Sequence, residues 1–218
     1  PVRLGSFTKN LFYHEVNVSD YPLFDYPPYE TVLASKLVDV VKFEKLDLLH
    51  VHYAIPHASA AYMTQQILAA QGIFIPFITT LHGTDITLVG KDPSFAPAIT
   101  FAINKSDAVT AVSESLKADT FAHFDINREI EVIPNFICPE HYLLKAEKDF
   151  RLEYAPNGER IIKHVITFRP VKRVEDVVRI FQKLLEAMTA KLFLVGDGPD
   201  RNMVEKLCRK LGTVVHTS

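Results

Sequence analysis

Apolar positions along the chain fall into short, nearly continuous runs separated by longer stretches in which they recur every third or fourth residue, the mark of strands and helices in turn. Phe12 to Val18 alternates and predicts a strand, Glu30 to Phe43 sets Val32, Leu33, Leu37, Val40 and Val41 at helical spacing, and Asp47 to Val51 is again a strand. A helical pattern follows from Ala58 to Ala70, then an apolar run from Ile75 to Leu81. Pro97 to Asn104 is helical and Asp107 to Val112 is a short strand. Ser113 is placed to cap a helix over Glu114 to Phe124, and Ile130 to Ile133 is a strand leading into Pro134-Asn135-Phe136. Repeated strand and helix units imply an α/β chain with a parallel sheet and helices on both faces.

The alternation starts afresh further on. Ile161 to Ile166 is a strand, Val174 to Ala187 carries Val174, Val177, Val178, Phe181, Leu184 and Leu185 on one face, and Ala190 to Val195 is a second strand. Gly196-Asp197-Gly198-Pro199 then turns into a last helix with apolar Met203, Val204 and Leu207. This is one βαβ unit and the start of a second Rossmann-like domain. Between the two parts, from Pro139 to Asn157, periodicity fades and Lys, Glu, Asp, Pro and Gly accumulate, as in a linker. Pro1 to Asn10 has neither the form of a signal peptide nor a clear helix, and Thr213 to Ser218 looks like a strand with nothing to pair against, so the expectation is a fragment with residues missing at both ends.

Composition changes this picture little and charge changes it more. With 48% hydrophobic and 23% charged residues in 218, the chain can bury a large core. No apolar stretch approaches the roughly 18 residues that span a bilayer, because Gln65, Gln66 and Gln71 interrupt the most hydrophobic region. Cys138 and Cys208 have no CxxC spacing, which indicates neither a zinc site nor a disulfide framework and makes a reducing cytoplasm the simplest compartment. Residues 1–145 hold 10 Lys and Arg against 16 Asp and Glu, whereas residues 146–218 hold 14 against 10. That asymmetry hints at an anionic ligand on the second part, although nucleic acid wants a denser basic stripe.

Two strand ends carry the candidate chemistry. The run to Leu81 stops at His82-Gly83-Thr84-Asp85, and the strand before it ends in His50-Val51-His52-Tyr53 followed by Pro56-His57. Ligands of parallel α/β sheets collect at the carboxyl ends of strands, so a polar pocket is expected there. His82, followed by a glycine that lets backbone approach a ligand, is either functional or a turn cap; Asp85 is either a general base or the acceptor of an Asx-turn bond. His50 and His52 share one side of a strand, but no third ligand of suitable spacing accompanies them, which favours ordinary core or pocket histidines over a metal pair. In the second part Arg169, Lys172 and Arg173 precede a helix. Cations there oppose the partial positive charge of the helix end at a cost of about 0.3–1 kcal/mol each, and a bound phosphate would reverse the sign.

Taken together, His50-Val51-His52-Tyr53-Ala54-Ile55-Pro56-His57, Thr79-Thr80-Leu81-His82-Gly83-Thr84-Asp85-Ile86-Thr87, Phe168-Arg169-Pro170-Val171-Lys172-Arg173 and Val195-Gly196-Asp197-Gly198-Pro199 resemble the retaining glycosyltransferases of the GT-B fold over nearly the whole chain. With Tyr26-Pro27-Pro28-Tyr29 and Pro134-Asn135-Phe136, the likeness is to members that move N-acetylglucosamine from UDP-GlcNAc to L-malate at the start of bacillithiol biosynthesis. The resemblance implies two Rossmann-like domains facing a cleft: an acceptor-binding domain over 1–145 with its start missing, and a partly present nucleotide-sugar domain over 146–218. It implies that Tyr53 and Thr79 hold the acceptor, that His82 touches the donor sugar, and that Arg169, Lys172, Gly196 and Asp197 bind the donor. It implies no metal and no cofactor beyond the donor substrate, a cytoplasmic bacterial enzyme, no nucleic-acid partner and no membrane span, with homo-oligomer formation left open. The family's glycine-rich loop would precede Pro1 and its later glutamate-rich donor motif would follow Ser218. A related transferase with another donor or acceptor, and a non-catalytic sugar-nucleotide-binding protein, are the two alternative readings.

Overall fold

The apolar run Phe77–Leu81 is an interior strand of a four-stranded parallel sheet, and the first part of the chain is arranged around it. In the computed structural model, which describes residues 10–18, 28–88, 92–142, 150–212 and 215–217, the chain forms two compact units, residues 1–137 and 138–218. Arg3, Tyr26, Pro27, Lys91, Thr213 and Ser218 lie outside the described residues.

Unit 1 runs α1 (Tyr29–Glu44), β1 (Leu49–His52), α2 (Ser59–Ala69), β2 (Phe77–Leu81), α3 (Ala96–Lys105), β3 (Ala108–Ala111), α4 (Glu114–His123) and β4 (Ile130–Val132). Its strands lie in the order β1-β2-β3-β4, all parallel, with His52 beside Thr80 and Thr80 beside Thr110. Successive side chains of a strand point to opposite faces, so this register sorts the sheet into two surfaces. One carries Leu49, Phe77, Leu81, Val109 and Ile130, packed against Val38 and Val41 of α1, Leu68 of α2, Ile99 and Ile103 of α3 and Leu116 of α4. The other carries His50, His52, Ile78, Thr80 and Thr110 and borders an open hollow. The expectation of helices on both faces is therefore corrected for unit 1: among the described residues all four helices cover one face. Parallel crossovers are right-handed, and three that step in the same direction across the sheet must leave their helices on the same side.

Element ends follow local chemistry. Ser113 Oγ accepts from Leu116 N at 3.1 Å and caps α4 as its type predicts. Phe12 to Val18 is not a strand. Among the described residues it has no ladder partner, and the alternation only turns Val16 toward Leu33, Ala34 and Ala60, with His14 Nε2 bonded to Glu44 at 2.7 Å.

Unit 2 runs α5 (Phe150–Tyr154), β5 (Arg160–Val165), α6 (Val174–Leu184), β6 (Ala190–Val195), α7 (Arg201–Lys210) and β7 (Val215–Thr217), with parallel strand order β5-β6-β7. Val174, Val178 and Phe181 of α6 and Val204 and Cys208 of α7 bury against Leu192 and Leu194. Burial pushes the Cys208 thiol up, whereas exposed Cys138 donates to Glu140 Oε2 at 2.9 Å. Two expectations are corrected. The stretch read as a linker contains α5, whose Tyr154 meets Phe193 edge-on at 5.2 Å, and the terminal strand does have a partner, since Val215 pairs with Leu192.

The loops after β5 and β6 close on each other. Phe168, fully buried, donates its N–H to Asp197 O at 2.9 Å and accepts from Asp200 N at 3.1 Å. Gly196 and Gly198 have φ of 138° and 154°, and a Cβ built on them would stand 2.0 Å from Ile166 O and 2.3 Å from Phe168 O. Only glycine permits this approach. Gly198→Ala should therefore lower the unfolding free energy of the chain by at least about 2 kcal/mol, because rigid backbone faces the new methyl. A urea midpoint equal to that of the unsubstituted chain would refute the close approach.

Candidate active site

The hollow of unit 1 is made by two strand ends held in unusual backbone. At the end of β1, Tyr53 has φ 75° and ψ 137°, a conformation that costs a non-glycine residue about 1–3 kcal/mol. Neighbouring bonds hold it there: Tyr53 N donates to Thr80 O at 2.9 Å and Tyr53 O accepts from Ala58 N at 3.2 Å. A wide π-type turn with a cis Ile55-Pro56 peptide, Ala54–Ala58, then leads into α2. At the end of β2, His82 is followed by Gly83 with φ 112° and a second wide turn, Thr84–Leu88.

Asp85 joins these two loops, a role its sequence position only half discloses. Asp85 is 2% exposed; Oδ2 accepts from Ala54 N at 2.9 Å and Oδ1 from Gly83 N at 3.1 Å. The second bond is the Asx-type contact foreseen in the sequence. The first reaches 31 residues back to the other strand end, which no local pattern could signal. With both oxygens engaged by backbone, Asp85 is a clamp and not a general base.

Four histidines meet in this frame. His50 Nε2 bonds Thr80 Oγ1 at 2.8 Å, and Thr80 Oγ1 bonds Thr110 Oγ1 at 2.7 Å. His52 stacks on His50 at 5.0 Å between centroids and bonds His82 through Nδ1 to Nε2 at 2.7 Å. His57 Nδ1 donates to His52 O at 2.6 Å. The Tyr53 ring lies 5.2 Å from that of His82, and its hydroxyl has no hydrogen-bond partner among the described residues. Burial, then the neighbouring His50, His82 and His57 rings, pull the pKa of His52 below its ordinary value, so its imidazole is neutral at pH 7. The hollow of about 310 Å³ is lined by His50, His52, His82, Thr80 and Thr110 and walled by Ile133 to Phe136. Among the described residues no group of three or more His, Cys, Asp or Glu side chains is placed to hold a metal ion.

Of the residues expected at the strand-end pocket, Tyr53 and His82 come together and Thr79 does not. Thr79 is fully buried on the helix-covered face, where its hydroxyl bonds Ser106 Oγ at 2.8 Å. Ser106 already donates to Ala102 O at 2.9 Å, so Thr79 spends its proton on Ser106. The hydroxyl on the hollow's side is that of Thr80. The strand period of 2 carries this distinction, but choosing between adjacent threonines requires the register beside His52.

In unit 2 the cation loop is a short 3₁₀ turn, Pro170–Lys172, ending at Arg173 in left-handed backbone. The three cations are not equivalent, and the argument from an uncompensated helix end is corrected accordingly. The first turn of α6 carries Glu175 and Asp176; Arg173 pairs with Asp176 at 2.5 Å and Arg179 with Glu175 at 2.5 Å. Arg169 and Lys172 are exposed and have no ion-pair partner among the described residues. Asp197, 82% exposed, accepts from Gly198 N at 2.8 Å, next to Gly196. A groove of about 310 Å³ between the starts of α6 and α7 sets Glu175, Asp176 and Asp200 against Arg173, a lining too acidic for a phosphate.

Comparisons with known proteins agree with this architecture. Residues 4–141 match the model of Glycosyltransferase Family 4. The chain is 45% identical over 212 residues to the N-acetyl-alpha-D-glucosaminyl L-malate synthase of Bacillus anthracis, covering 97% of this chain and 55% of that protein. It thus spans about half the length of that relative. Among solved structures it superposes on Anabaena HepE in complex with UDP-glucose with a TM-score of 0.67 at 14% identity, covering 85% of this chain and 50% of the other. Sucrose-phosphate synthase of Thermosynechococcus elongatus gives 0.65 at 17% identity, covering 98% of this chain and 57% of the other. The fold is that of the GT-B glycosyltransferases. Among the described residues no helix is long and apolar enough to cross a membrane.

Removing the clamp should be expensive. Asp85→Ala leaves Ala54 N and Gly83 N without their acceptor, at about 1–3 kcal/mol for each donor that stays buried, and Asp85→Asn, which keeps one acceptor oxygen, should lose about half as much. Denaturant unfolding of the two variants measures this, and equal, unaltered midpoints would show that the carboxylate does not tie the loops.

Proposed function

We propose, for a chain that belongs to glycosyltransferase family 4, a part in the retaining transfer of N-acetylglucosamine from UDP-GlcNAc to L-malate, a cytoplasmic reaction that opens bacillithiol biosynthesis. The observation that carries this reading is the hollow of unit 1, where hydroxyl and imidazole groups converge at parallel strand ends in a chain so similar to an L-malate synthase. Its volume of about 310 Å³ suits a small acid better than a lipid or glycan. Hydroxyls of Tyr53 and Thr80 are the donors a carboxylate seeks.

Unit 2 would hold the other substrate. Arg169 and Lys172, without ion-pair partners among the described residues, are suited to the two phosphates of UDP, and the glycine pair at Gly196 and Gly198 keeps that loop's backbone close. In the transfer, the bond from the anomeric carbon to the diphosphate oxygen breaks and a bond to the malate hydroxyl oxygen forms on the same face of the sugar. The hydroxyl proton passes to the departing diphosphate oxygen, so no protein nucleophile is required. Arg169 and Lys172 stabilise the charge that develops on the diphosphate, His82 contacts the sugar, and Tyr53 with Thr80 orients malate; catalysis is then positioning and electrostatic stabilisation without a metal.

Two measurements on the full-length protein test the reading. Lys172→Ala should weaken UDP binding by about 1.5–3 kcal/mol, the scale of a charge-assisted bond, in calorimetric titration. Tyr53→Phe and Thr80→Val should raise the malate KM roughly 5- to 150-fold with UDP affinity near the unsubstituted value, while Thr79→Val leaves the malate KM alone. Failure to glycosylate malate, or an unchanged malate KM in both the Tyr53 and the Thr80 variants, would remove the acceptor assignment.

A further inference from the structure

We propose that His52 is a positioning residue for His82: the hydrogen bond from His52 Nδ1 to His82 Nε2 holds the His82 ring in one orientation and one tautomer at the hollow. The inference rests on the hollow as the place where the sugar is transferred, and it goes beyond that reading by giving His52 the work of orienting a neighbouring ring.

His82 lies just past the end of β2 and before a glycine with positive φ, where neither ladder nor helix constrains its side chain. Among the described residues the bond to His52 is the one hydrogen bond its ring makes; its remaining ring contacts are with His52 at 4.9 Å and Tyr53 at 5.2 Å. A nitrogen-to-nitrogen distance of 2.7 Å requires a single proton between the two rings, since two N–H groups or two lone pairs facing each other repel. Whichever ring carries that proton, Nδ1 of His82 is committed to the complementary role, donor or acceptor, toward a ligand.

His52 can fix its neighbour because it is itself fixed. It stacks on His50 with 27° between ring planes, its own carbonyl is bonded by His57, and His50 is anchored to the Thr80 and Thr110 hydroxyls. The titratable groups facing His52 are His50 on the same strand, His57 in the following turn, His82 and Tyr53; crowded imidazoles and partial burial disfavour a charged His52, which keeps a second proton out of the pair at neutral pH.

The test uses the full-length protein. His52→Leu should lower kcat about 10- to 100-fold, the loss for one orienting hydrogen bond, with KM for UDP-GlcNAc within about 2-fold and the unfolding midpoint unchanged because the ring is exposed. His52→Asn, whose amide stands where Nδ1 stood, should recover kcat to within about 5-fold. In nucleotide-free protein, ring ¹⁵N shifts should show one His82 tautomer in the unsubstituted and Asn forms and averaging in the Leu form. This readout needs no acceptor, so it stands even if malate proves to be the wrong substrate. An unaltered kcat in His52→Leu, an Asn variant as impaired as the Leu variant, or identical His82 shifts in all three would overturn the proposal.

Discussion

The handedness of the parallel crossover is the constraint on which unit 1 depends. Three right-handed connections stepping one way from β1 to β4 send α2, α3 and α4 to a single face, where α1 packs beside them through Val38 and Val41, and among the described residues the apolar surface gathers there. The opposite face can then carry groups that a helix-covered sheet could not: two histidines in series on β1 and threonines at the matching positions of β2 and β3. Burying unpaired imidazoles and hydroxyls under a helix would cost free energy at each one; here the buried threonine hydroxyls bond each other and His50 across the strands, and the β1 imidazoles stay exposed. The polar hollow is thus a consequence of topology as much as of the residues that line it.

Sequence periodicity was enough to find most elements, and their ends differ from expectation by only a few residues. The helix over Glu30 to Phe43 is Tyr29–Glu44, and the strand at Ala190 to Val195 is found as expected. What it could not supply was anything decided by partners. Phe12 to Val18 alternates as a strand does, but alternation reports only that one side is buried; a strand also needs a ladder. Val215–Thr217 is the reverse case, a segment whose partner, β6, is visible only in three dimensions.

The candidate site divides along the same line. His82 and Tyr53 stood out because apolar runs end at them, and Arg169 and Lys172 because cations are out of place before a helix. Thr79, expected at the pocket, faces the helices instead, because which of two adjacent threonines points into the hollow is set by register, and a slip of one residue exchanges the two faces of a strand. Arg173 resembled its neighbours until its partner Asp176 was seen one turn on. Asp85 was legible as an Asx-turn residue and illegible as a clamp, because its second bond spans two strand ends.

Both units solve the same problem by different means. A loop that must present side chains to a ligand cannot also use them to hold itself, so its backbone has to be braced by something else. In unit 1 the brace is one buried carboxylate that takes an N–H from each of the two loops that carry Tyr53 and His82. In unit 2 it is the absence of two Cβ atoms, which lets the loops after β5 and β6 bond backbone to backbone around a buried Phe168. A carboxylate serves where the loops are separated by a side chain's length, and glycine serves where they touch. In either case the side chains that face outward stand on backbone that is held in place from behind.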